Sequence, residues 1–263
     1  MPAMPRVKIF RILKSKTAVR RNALALLLFL TTAGLLGLAV RGTASASTEV
    51  LPQQVKPDPR FDNLVRGDMF AGMAGDAAAF SRAMKLCEDT LAKSPRHPEA
   101  LVWHGSGDYF LAGRAFQTGD FAIGMELFNK SLREMDDAVS ILPDSITVLI
   151  PRGAVLLEGS KHLPDPLQAA SQLEKALADY EKVLAVQKDD WAKLPLHSRG
   201  ELLSGLAEGW YRAGNAVKAR GYLQRIVAET KGSEYSARAQ VVLNAVNPPK
   251  QLNWQCIGCH VAP

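Results

Sequence analysis

From Phe61 to about Val246, apolar side chains recur at three- and four-residue spacing, the period of a helix with one buried face. The β-branched alternation of a half-buried strand is scarce. The pattern predicts helices nearly throughout and an all-α fold. Residues 47–60 (STEVLPQQVKPDPR) are polar, carry three prolines and read as a linker. At the other end, Asn247-Pro248-Pro249-Lys250 stops the last helix, because two prolines cannot continue it. Residues 247–263 follow as a short tail.

Within the helical region a degenerate repeat is visible. Its clearest unit is Leu206-Ala207-x-x-Trp210-x-x-x-Gly214-Asn215-x-x-x-Ala219-x-x-x-Leu223. A second is Leu111-Ala112-x-x-Ala115-x-x-x-Gly119-Asp120-x-x-x-Gly124-x-x-x-Phe128, closing at Pro143 after a long second helix. Half-matches are Ala83-x-x-x-Cys87-x-x-x-Leu91-x-x-x-Pro95 and Ala176-x-x-x-Tyr180-x-x-x-Leu184. A small residue lets two helices cross closely, and a large one a turn later fills the groove. On these residues the segment 61–246 resembles a tetratricopeptide-repeat (TPR) array of about four units, with the period of about 34 residues broken by insertions such as Lys161–Pro166 (KHLPDP). The resemblance implies a solenoid of helical hairpins with a groove for a protein partner. Ser233–Val246 would be its terminal capping helix. The other reading is an irregular α-bundle with similar small residues.

Charge changes the picture at the N-terminus only. Residues 1–46 hold eight of the 32 basic residues and no acidic one, leaving 24 basic against 26 acidic beyond them. The excess of positive charge belongs to the leader, so nothing argues for nucleic-acid binding by the folded part. The leader has a basic start, the uncharged stretch Ala23–Val40 and the small-x-small site Ala44-Ser45-Ala46. It reads either as a cleaved signal peptide or as a single-span anchor with its N-terminus inside. Arg20-Arg21 matches a twin-arginine signal poorly in its flanks. Both readings put residues 47–263 outside the cytoplasm, in the periplasm of a bacterial cell.

The chemistry sits in the tail. Cys256-Ile257-Gly258-Cys259-His260 is C-x-x-C-H, the attachment motif of a c-type haem. Two thiols at this offset add across the porphyrin vinyl groups, and the next histidine reaches the iron as proximal ligand. The motif implies one covalent haem c, with Cys256 and Cys259 in thioethers, His260 on the iron and Trp254 against a haem face. The sixth iron ligand stays open. Two of the three cysteines lie in the motif; the third, Cys87, stands at a helical core position. No βαβ pattern supports a thioredoxin-like dithiol, and two cysteines with an adjoining histidine fall short of a zinc site. A disulfide-closed loop without cofactor remains as an alternative. The tail is similar in motif position to class II cytochromes, yet it lacks their last helix. A short haem segment of this kind also resembles the magnetochrome modules of magnetosome proteins.

A haem is too large and apolar for this tail to bury. It is expected to dock on the repeat array, on a second copy of the chain or on a partner cytochrome. His97, His104, His162 and His197 read as surface or inter-helix residues, and Met69, Met73, Met84, Met125 and Met135 as core filler. Trp103 is expected to pack between helices with His104 solvated beside it. Glu134–Asp137 (EMDD) and Lys188–Asp190 (KDD) read as solvated helix ends. No nucleophile–base pair, phosphate-binding glycine loop or H-E-x-x-H appears. The expectation is therefore a non-enzymatic electron-transfer protein that binds a redox partner, with a cofactor-free periplasmic scaffold or assembly factor as the alternative.

Overall fold

The computed structural model describes residues 60–245 and Leu252. The leader 1–46, nearly all of the linker and the motif residues lie outside the described residues. Among those described there are nine α-helices, one 3₁₀ turn and no strand: α1 (Phe61–Met73), α2 (Ala77–Lys93), α3 (Pro98–Gln117), α4 (Phe121–Ile141), α5 (Ile146–Gly159), α6 (Pro166–Val186), the 3₁₀ turn Lys188–Lys193, α7 (Leu196–Arg212), α8 (Ala216–Glu229) and α9 (Glu234–Asn244). The all-helical expectation holds. No described helix is long and apolar enough to cross a membrane.

The helices pair in chain order as α1/α2, α3/α4, α5/α6 and α7/α8, and α9 packs on α8. The first helix of each hairpin packs on both helices of the hairpin before it, α3 on α1 and α2, α5 on α3 and α4, and α7 on α5 and α6. The turn chemistry explains three of the four hairpins. Gly75, Gly119 and Gly214 adopt φ of 124°, 84° and 76°, in the left-handed region that a Cβ disfavours. In each turn the next residue's N–H reaches back to a carbonyl of the first helix: Asp76 to Ala71, Asp120 to Ala115 and Asn215 to Trp210. That same residue then caps the second helix, Asp76 accepting from Ala78 and Ala79, Asp120 from Ile123 and Asn215 from Lys218. Glycine thus ends one helix and Asp or Asn starts the next. The sequence pattern shows two such turns; the structure adds Gly75-Asp76. The third hairpin carries the insertion, and there Asp165 caps α6 ahead of Pro166 without a glycine.

The crossing positions named above are buried. Ala83, Ala112, Ala176, Ala207 and Ala219 are at most 1% exposed, and Cys87, Phe128, Tyr180 and Leu223 are buried with them. One hydrophobic core runs from Val65 and Met69 in α1 through Val102, Met135, Leu149 and Leu156 to Leu206 in α7. A second, smaller core holds Leu203, Ala207, Leu223, Ile226, Ala239 and Leu252. α3 is buried without a break from Ala100 to Asp108, so this first helix is a central layer rather than an open face.

Ion pairs clip the hairpins together. Arg152 of α5 joins Asp179 of α6 and Asp136 of α4, and Lys175 also reaches Asp136 at 2.7 Å. Arg212 of α7 donates to the Leu157 carbonyl at 2.7 Å and to Ser160 Oγ at 2.8 Å, capping the end of α5. Beside it Lys161 bridges Glu158 and the buried Glu208, whose carboxyl burial pushes up while Lys161 pulls it back down.

Candidate functional site

The residues expected to carry the chemistry, Trp254, Cys256, Cys259 and His260, lie outside the described residues. The nearest described residue is Leu252, four positions before Cys256. Its side chain is 2% exposed and belongs to the core formed by α7, α8 and α9. The wall around that core is aromatic, with Trp191, Tyr211, Tyr222 and Tyr235 packed against it. Trp191 donates to Glu229 at 2.5 Å while Arg225 lies over its ring and binds the same carboxylate. Burial raises the Glu229 carboxyl, yet the bonds from Arg225 and Trp191 hold it below the usual range. Tyr235 bonds both His197 and Glu201, tying α9 to α7. Leu252 belongs to no motif in the sequence. Its signal was there as a large apolar residue in a polar, proline-led tail.

The remaining histidines fall into separate roles. His97 caps α3, its Nδ1 accepting from Ala100 at 3.1 Å. His162 is exposed beside Glu158. His104 departs from expectation: it is 5% exposed rather than solvated. Its Nδ1 lies 2.7 Å from Glu134 Oε2 and 3.8 Å from Asp108 Oδ2. The reason is the layering, since α3 is enclosed by its neighbours on every side over this stretch. Trp103 packs as expected, 4% exposed, its ring edge-on to Phe70 with centroids 5.8 Å apart.

Glu134–Asp137 are likewise no helix end. They sit inside α4, where Glu134 faces His104 and Asp136 binds Arg152 and Lys175. The run is not uniformly solvated: Met135 is buried, Glu134 and Asp136 are partly covered, and Asp137 is exposed. Asp189 and Asp190 are exposed, as the sequence suggests. Met69, Met84 and Met135 fill the core, while Met125 is 47% exposed and does not.

Exposed apolar side chains stand at the first turns of the second helices: Phe121 of α4 at 66%, Leu167 of α6 at 82% and Val217 of α8 at 85%. Each follows its cap residue by one or two positions, so the three recur at the same end of successive hairpins.

No family model, no curated protein and no solved structure matches the chain.

Proposed function

We propose that this chain is an exported monohaem c-type cytochrome in which a TPR-like solenoid binds a protein partner and a C-terminal haem passes electrons to or from it. The observation that carries the reading is C-x-x-C-H at Cys256–His260. Its donor set, two thiols and an imidazole, has the chemistry of a covalent haem with a proximal ligand. The leader supports export to a compartment where haem c is attached. The repeated Gly-Asp or Gly-Asn turns and the packing of each hairpin on the one before it support the TPR-like description.

Leu252 bears on where the haem would stand. With its side chain in the α7–α9 core, four residues of chain keep Cys256 within about 14 Å of that seat. A haem held there would stand within reach of the C-terminal end of the array. The test is the intact mass and visible spectrum of the full chain expressed with a cytochrome c maturation system. A gain of one haem that disappears in Cys256→Ala/Cys259→Ala supports the cytochrome. A mass without haem and no Soret band overturns it.

A second reading is a cofactor-free scaffold. Phe121, Leu167 and Val217 favour it, because an exposed apolar side chain at the start of the second helix in three successive hairpins suits contact with protein and needs no cofactor. The same spectrum separates the two, since the scaffold is colourless.

A further inference from the structure

We propose that His104, Asp108 and Glu134 form a binding site for a divalent transition-metal cation of the zinc class, in which the Lys130 ammonium is the built-in competitor. The site owes nothing to the tail motif, and it stands whether or not the chain carries haem. His104 and Asp108 are one turn apart on α3, and Lys130 and Glu134 one turn apart on α4. Gly105 lets the two helices approach, since a Cβ there would stand 2.9 Å from both Met135 Cγ and the Ser131 carbonyl oxygen. One ligand atom from each of His104, Asp108 and Glu134 lies within 4.8 Å of the others.

The geometry is close to that of a metal-bound set. Tetrahedral zinc, with bonds of about 2.0–2.1 Å to nitrogen and oxygen, holds its ligand atoms about 3.3 Å apart. The His104–Glu134 distance of 2.7 Å and the His104–Asp108 distance of 3.8 Å lie on either side of that value, and all three ligand atoms fall within 4.8 Å of one another. Binding requires Asp108 and Glu134 to draw together by side-chain rotation. Three nitrogen and oxygen ligands with a free fourth position make a recurring zinc arrangement.

Charge supplies the independent argument. Asp108 is 3% exposed. Lys130 Nζ stands 2.8 Å from its Oδ2, and that buried oxygen still receives no directed hydrogen bond. Two carboxylates, Asp108 and Glu134, thus face one lysine ammonium and one imidazole in a largely buried space. A divalent cation would neutralise both carboxylates. Lys130 is able to leave: its side chain is 42% exposed, so its ammonium can turn into solvent on its flexible stem.

The test uses the full chain with Cys256→Ser/Cys259→Ser, which removes the tail thiols as ligands. Zinc is titrated by calorimetry, and cobalt by its visible absorption bands. One equivalent is expected to bind, with affinity falling about 30-fold or more in His104→Ala and in the near-isosteric Asp108→Asn. Lys130→Met is expected to tighten binding about tenfold, because it removes the competing charge. Folding of each variant is checked by circular dichroism before metal is added. Absence of zinc binding in both the parent and Lys130→Met overturns the proposal. So does binding that Asp108→Asn and His104→Ala leave unchanged, which would place the ion elsewhere.

Discussion

Arg152 donates to both carboxylate oxygens of Asp179, Nε to Oδ2 at 2.8 Å and Nη2 to Oδ1 at 2.6 Å. The pair is buried between α5 and α6, and the remaining guanidinium nitrogen reaches Asp136 of α4 at 2.8 Å. One planar fork thereby sets three helices from two hairpins in register.

Removing Arg152 strands the buried Asp179 carboxylate inside the protein, whereas removing Asp179 leaves Arg152 bound to Asp136. Arg152→Met is expected to cost about 3–5 kcal/mol, read as a lower urea midpoint by circular dichroism. The double change Arg152→Met/Asp179→Leu is expected to recover most of that loss, since it leaves no unpaired charge. A single mutant of unchanged midpoint would show that the pair does not hold the hairpins.

Tyr180 fills the space in which a Cβ on Gly153 or Gly205 would stand, so its ring is held between α5 and α7. Gly205→Ala is expected to destabilise by about 1–3 kcal/mol, because the ring or the helices must move. Gly113, in α3, has nothing within 4 Å of the same position. Gly113→Ala is therefore expected to stabilise by about 0.5–1 kcal/mol through helix propensity. Equal effects of the two substitutions on the melting temperature would contradict the packing described.

Burial pushes the Cys87 thiol up to about 12, with Glu134 and Glu88 adding to the effect. A thiol is alkylated as its thiolate, so native Cys87 is expected to resist iodoacetamide near pH 8 and to react only after unfolding. The linkage follows in sign. The unfolded thiol loses its proton first, so its contribution to stability is complete below its ordinary pKa near 9 and is lost as pH rises towards 12. Mass spectrometry of the labelled chain reads the first effect. A midpoint series comparing Cys87→Ala with the parent reads the second.

Leu252→Ala removes a fully enclosed side chain from the α7–α9 core and is expected to cost about 2–5 kcal/mol, concentrated in the last hairpin. Hydrogen exchange is expected to speed up in α8 and α9 and to stay unchanged in α3 and α4. Uniform protection in the variant would mean that the seat of Leu252 does not tie the tail down.

Much of the fold is legible along the chain because its causes are local. Gly119-Asp120 and Gly214-Asn215 can be read as turns, since a left-handed residue followed by a capping side chain needs no information beyond the next few positions. The buried polar network is not legible in the same way. His104 and Glu134 stand thirty positions apart, and Arg152 and Asp179 twenty-seven. Only the packing of one helix on the next decides whether such side chains face water or each other. That is why His104 reads as solvated and Glu134–Asp137 as a helix end from sequence, while the structure buries His104 and places the acidic run inside α4 with Glu134 against it.

The helical period, two of the hairpin turns, the small crossing residues and the motif that carries the proposed chemistry are written in the chain, because each depends on spacings of a few residues. Which charges are buried and paired follows only from how the helices meet. The same meeting makes α3 an enclosed layer and places Leu252 in the last core rather than in solvent. Those outcomes depend on which surfaces meet across long stretches of chain, and burial is a property of that meeting rather than of any residue in it.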